Sequence, residues 1–111
     1  MPTLLTAVDA SQTATLTTEH TLYEATANYN FVLVVDTVNM VNGDVTELKI
    51  YTKTLATSTA AVAYYAAYAH AQAQPVKYSV PVPANIYFKA TLKQKEGTAG
   101  RAYPFAVLSV T

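Results

Sequence analysis

Cysteine and tryptophan are both missing from the 111 residues, and glycine occurs three times and histidine twice. Without cysteine there is no thiol nucleophile, no disulfide framework and no thiolate metal site, so the fold rests on a hydrophobic core and the compartment stays open. Charge is scarce too: Asp, Glu, Lys and Arg make up 13% and cancel to a formal charge of zero, where a soluble domain carries roughly 25%. A neutral chain lacks the basic balance common in nucleic-acid modules. Long apolar runs are absent as well. The longest, residues 60–69, has ten residues and includes two adjacent tyrosines, half the ~20 that a membrane-spanning helix needs. Met1-Pro2-Thr3-Leu4-Leu5 has no basic leader and no asparagine opens a glycosylation sequon, so neither a membrane anchor nor a glycosylating pathway is expected.

What is abundant favours strands. Apolar residues make up 51%, there are nine tyrosines, and valine and threonine together number 30; β-branched and aromatic side chains suit a pleated, half-buried surface. The length fits one domain, which buries roughly two-thirds of the surface its unfolded chain exposes. Residues 1–12 are small, polar and without a period, and read as an N-terminal arm; residues 13–111 read as a single domain.

Within that domain, residues 13–26 alternate weakly and read as one or two strands, with a break near Glu19 and His20. Residues 29–37 (YNFVLVVDT) are the clearest strand. Asn42-Gly43-Asp44 is the strongest turn signal, because Asn and Gly tolerate positive φ, and it predicts a hairpin. Residues 45–55 then alternate, with Leu48 and Ile50 opposite Glu47, Lys49, Tyr51 and Lys53; residues 85–95 do likewise, with Ile86, Phe88, Ala90 and Leu92 opposite Tyr87, Lys89, Thr91 and Lys93. A short strand over 76–80 is stopped by Pro81 and Pro83, and a last strand runs over 103–110. Residues 60–74 are alanine-rich, which favours helix, yet Ala67, Ala69, Ala71 and Ala73 alternate strictly with Tyr68, His70, Gln72 and Gln74. The period of two decides for a strand. The sum is an all-β antiparallel sandwich, jelly-roll or immunoglobulin-like, of about seven to eight strands.

Two features point outward. Phe31, Leu33 and Val35 lie in a strand apolar on both faces, and Tyr64, Tyr65 and Tyr68 in a second that is nearly so; such strands need cover on both sides, which marks these six as candidate interface residues. The charges are also sorted: six acids and no Lys or Arg up to Leu48, then seven basic residues and only Glu96. Either the halves pair across strands within the sheets, or the molecule has an acidic and a basic region that meet complementary copies or a partner.

Chemistry-bearing patterns are thin. His20 and His70 belong to no catalytic motif, Asp36, Asp44 and Glu47 flank the expected hairpin where acids are solvated, and no spacing supports a metal site. No enzyme activity and no cofactor are expected. Gly97-Thr98-Ala99-Gly100 matches a bare backbone-clamping GxxG, but joins strands rather than helices and reads as a turn. Lys49, Tyr51 and Lys53, with Tyr87, Lys89 and Lys93, interleave cations and aromatics as single-strand binders do. A small binding module for carbohydrate or single-stranded nucleic acid is therefore the alternative reading.

From about Thr15 to its end, the chain resembles small structural proteins of the tailed-phage head, the decoration or cement proteins. The resemblance lies in Tyr64-Tyr65-Ala66-Ala67-Tyr68-Ala69-His70-Ala71-Gln72, Pro75-Val76-Lys77-Tyr78-Ser79-Val80-Pro81-Val82-Pro83, Ala90-Thr91-Leu92-Lys93-Gln94 and Gly100-Arg101-Ala102-Tyr103-Pro104-Phe105. It implies a protein made in the host cytoplasm that binds the outside of the virion and holds adjoining capsomers together. The implied partner is the major capsid protein, and a homo-oligomer, dimer or trimer, fits the same reading. It carries over no functional residue.

Overall fold

The computed structural model describes residues 4–26 and 29–110. Among them are nine strands and no helix: β1 (Leu4–Thr13), β2 (Glu19–Ala25), β3 (Tyr29–Asp36), β4 (Val45–Thr52), β5 (Ala61–Ala69), β6 (Val76–Tyr78), β7 (Val82–Ala84), β8 (Phe88–Glu96) and β9 (Ala102–Val110). They form two antiparallel sheets. Sheet I runs β1-β9-β3-β6, with β7 also on β3, and sheet II runs β2-β8-β4-β5.

The pairing is nested: β1 with β9, β2 with β8, β3 with β6 and β7, and β4 with β5. A chain doubled back at β4–β5 and then rolled up gives this pattern, so successive strands alternate between sheets except at β4–β5 and β6–β7. That topology is the double-sheet jelly roll rather than the immunoglobulin arrangement.

Alternation explains the core. Phe31, Leu33 and Val35 of β3, Leu48 and Ile50 of β4, Phe88, Ala90 and Leu92 of β8, and Tyr103, Phe105 and Val107 of β9 point inward and are buried. Phe31 and Phe88 meet across the sheets with ring centroids 4.4 Å apart, and Tyr23 leans on both. A buried phenylalanine of this kind is worth about 3–5 kcal/mol against alanine.

Four sequence expectations need correction. Residues 4–12, expected as a free arm, belong to β1 and pair with β9 along the edge of sheet I; the small side chains hide the strand because most face solvent and carry no period. The first three positions of that arm lie outside the described residues. Asn42-Gly43 does turn, with Gly43 at φ +99°, but β3 and β4 lie in different sheets, so the turn crosses between layers instead of closing a hairpin. Glu19 and His20 begin β2 rather than interrupt a strand. The alternation over 60–74 is strand only as far as Ala69: His70 takes φ +67° and turns the chain toward β6.

Candidate interaction surfaces

The two outer faces of the sandwich differ in kind. On sheet II the cross-strand register lines up Glu19, Lys93 and Glu47 in one row, Thr21, Thr91, Lys49 and Tyr65 in the next, and Glu24, Lys89, Tyr51 and Val62 in a third. The acidic first half and the basic second half of the chain therefore meet on this face. Tyrosine hydroxyls complete it: Tyr51 donates to Glu19 at 2.7 Å, with Thr91 donating to the same oxygen at 2.6 Å, Tyr65 donates to Glu47 and Tyr87 to Glu24. Lys89 lies over the Tyr51 ring at 4.7 Å and Lys53 over Tyr87 at 5.0 Å.

This pairing shows in the acidities. Its bond to Glu24 pushes the Tyr87 phenol up to about 12, and bonds to Glu19 and Glu47 raise Tyr51 and Tyr65. Burial pulls the Glu19 carboxyl up, but the hydroxyls of Thr91 and Tyr51 and the charges of Lys49 and Lys89 outweigh it and hold the group below its ordinary value. Of the lysines and tyrosines singled out as a nucleic-acid platform, Tyr51 and Tyr87 are thus engaged by Glu19 and Glu24 and covered by Lys89 and Lys53.

Sheet I presents the opposite surface. Val32 and Val34 of β3, Pro104, Ala106 and Leu108 of β9, and Val76 and Tyr78 of β6 share its outer face, with Val76, Tyr78 and the following Val80 47–64% exposed. Among the described residues, neither lysine nor arginine stands on it. The charged side chains on it among the described residues are Asp9 and Asp36, which with Val34, Val76, Pro104 and Ala106 line a shallow depression of about 500 Å³. One oxygen of Asp36 accepts the Val38 N–H at 3.0 Å. Thr6, Ser11 and Asn30 share this face, and apolar side chains grouped there with acids beside them suit a contact surface.

At one end, the loops joining the sheets are held by a buried polar network. Asp44 is fully buried; its carboxylate takes Arg101 Nε at 2.9 Å and the Val41 N–H at 3.0 Å. Gln94 accepts from the Arg101 N–H and the Tyr103 hydroxyl and donates to the Ala99 and Glu96 carbonyls, and Tyr103 meets Thr46 at 2.7 Å. Asp44 is thus an internal fastener, not the solvated acid expected from its turn. Gly97 and Gly100 sit in the same place. A Cβ at Gly97 would strike Asp44 and Gln94, and one at Gly100 the Ala14 carbonyl, so the GxxG spacing reflects tight packing.

Of the six expected interface residues, Phe31, Leu33 and Val35 are at most 1% exposed. Their packing partners lie inside the sandwich, and their neighbours Val32 and Val34 take the outer face. Tyr64 and Tyr68 are half-buried against the core, and only Tyr65 is open, at 52%. The surface that sequence reasoning missed is built from β3, β6 and β9, too far apart in the chain for any local pattern to join them. The histidines act as ties: His70 Nδ1 accepts the Gly43 N–H at 2.9 Å and His20 Nε2 the Thr15 N–H at 2.9 Å. Among the described residues no three His, Asp or Glu side chains gather as metal ligands do.

The jelly-roll sandwich with one mixed-charge face and one apolar face is the class to which the chain belongs by structure. No protein-family model matches it, and no curated protein sequence does. Solved structures share its fold. The VP2 subviral particle of infectious bursal disease virus superposes with a TM-score of 0.56 at 17% identity, over 99% of this chain and 32% of that one. The same virus's Gt strain gives 0.54 at 15% identity, over 98% and 32%. A chain from Bacillus endospore appendages, described as disulfide-linked pili, gives 0.51 at 16% identity, over 99% and 88%. The chain spans about a third of the length of the viral proteins it matches.

Proposed function

We propose that this protein is a non-catalytic structural component of a virus particle, a decoration or cement protein of the phage head that sits on the outside of the shell and links capsomers. The observation that carries the reading is the outer face of sheet I, which groups apolar side chains with no basic residue among the described ones beside a two-carboxylate depression. Such a face gains by burial against a protein whose rim supplies Lys or Arg. The jelly-roll fold agrees with this role, since it recurs in a viral particle and in a pilus, both assemblies of many copies. Without cysteine, association of this chain does not rest on disulfides. Many weak contacts repeated over a lattice stabilise the assembled state by mass action.

In this reading the major capsid protein is the partner and the virion surface the location. The experiment is addition of purified protein to heads of the encoding virus stripped of it, measuring occupancy and the temperature of DNA release. Bound protein that raises the release temperature supports the role. Indifference to heads, with micromolar binding of single-stranded DNA or glycan abolished by altering Lys49, Tyr51, Tyr87 and Lys89, overturns it in favour of a binding module.

A further inference from the structure

Of the four sheet edges, three carry features that deter pairing with another strand. The β1 edge has Asp9 and a bulge between Thr6 and Val8; β2 has Glu19, Glu24 and a bulge between Thr21 and Tyr23; the β6–β7 edge is short, carries Lys77 and is broken at Pro81 and Pro83. Charges, bulges and prolines are the usual defences of exposed edges. β5 (AVAYYAAYA) has no charge and no proline, and its one bulge, at Ala63, leaves Tyr64–Ala69 in regular register with β4.

The register says which backbone groups are free. His70 donates its N–H to the Asp44 carbonyl, so by the alternation of an antiparallel ladder Tyr64, Ala66 and Tyr68 bond to β4, while Tyr65, Ala67 and Ala69 point away. The Ala69 carbonyl is already taken by the Gln72 side chain at 2.7 Å, which leaves Tyr65 and Ala67.

We infer that β5 is a self-association edge, whose occupant is β5 of a second copy laid antiparallel about a two-fold axis through Ala66. The segment Tyr64-Tyr65-Ala66-Ala67-Tyr68 is close to self-complementary about that centre. Tyr65 bonds reciprocally with the partner's Ala67, and Ala67 with the partner's Tyr65, using the free groups. On the outer face each large Tyr65 then lies opposite a small Ala67, and on the inner face Tyr64 lies opposite Tyr68. Two copies of sheet II become one continuous sheet and bury an edge that is otherwise an aggregation hazard. The outer face of sheet I stays open in the dimer, so this inference stands apart from the capsid role.

The test uses the cysteine-free background. In the proposed register Ala66 faces its own copy as a non-hydrogen-bonded pair, with Cα atoms about 4.5 Å apart, within disulfide reach. Under mild oxidation Ala66→Cys should give a covalent dimer quickly, and Ser11→Cys on the exposed β1 edge should not. Wild-type protein should be dimeric by light scattering at about 100 µM, where micromolar association is nearly complete. Ala67→Lys, with an unchanged circular dichroism spectrum, should weaken the dimer by at least about ten-fold. A wild-type monomer at that concentration, cross-linking at Ser11 as fast as at Ala66, or a dimer indifferent to Ala67→Lys overturns the inference. A monomer that still binds heads would remove this edge contact and leave the capsid role intact.

Discussion

Asp44 and Arg101 stand 57 positions apart in the chain, yet Arg101 Nε lies 2.9 Å from the buried Asp44 carboxylate at the end of the sandwich where four inter-strand loops converge. The arginine is 22% exposed and the aspartate 1%, so the aspartate depends on the pair for the solvation it has lost. Replacing Arg101 by alanine leaves a buried carboxylate with the Val41 N–H as its remaining hydrogen-bond partner. The expected loss is about 3 kcal/mol, the low end for a broken buried pair because the arginine is partly wet. Urea unfolding should show a lower midpoint with an unchanged slope.

Gly100→Ala should be costlier than its size suggests, since the added methyl collides with the Ala14 carbonyl, whose residue also donates its N–H to the Arg101 carbonyl at 2.8 Å. A loss above about 1 kcal/mol is expected, with faster amide exchange in β1 because the collision lies at its end. Gly43→Ala meets no neighbour and is strained only by φ +99°, so its cost should be smaller, about 1 kcal/mol. Thermal unfolding of the two variants side by side checks the order.

The tyrosine–glutamate bonds on sheet II predict a fall in stability at alkaline pH. Tyr87, Tyr51 and Tyr65 donate as neutral phenols and their folded values are raised, Tyr87 to about 12. Their contribution is whole below the unfolded value near 10 and is lost as pH rises through the folded values. Glu19 has the opposite sign: its folded value is lowered, so its contribution is present above the unfolded value and lost as pH falls through the folded one. Tyrosinate absorbance during an alkaline titration should show a late-ionising group that disappears in Tyr87→Phe.

Much of this architecture is legible in the sequence, and the gaps have physical causes. β4 and β8 announce themselves by alternating apolar residues, since each buries one face in the core, and β3 by its run of β-branched and aromatic residues. β1 is silent because an edge strand of small polar residues gains its place from backbone pairing with β9 rather than from side-chain burial. Asn42-Gly43 gives the turn but not the partner strand, because the same backbone reversal serves a hairpin or a crossing between layers. The two-sided apolar character of Phe31 to Val35 signals a central strand with both faces covered, yet leaves open which side is core. Phe31, Leu33 and Val35 turn inward, and Val32 and Val34 carry the outer face.

If, as proposed, the outer face of sheet I seats this protein on a viral shell, occupancy of stripped heads should separate wild type from Val34→Glu with Tyr78→Asp. Both side chains lie on the outer face and outside the core, so the double variant should keep its circular dichroism spectrum and unfold within about 1 kcal/mol of wild type. Near-full occupancy is expected for wild type and at least a ten-fold weaker attachment for the variant, about 1.4 kcal/mol of contact energy. Equal occupancy by a folded double variant would contradict it.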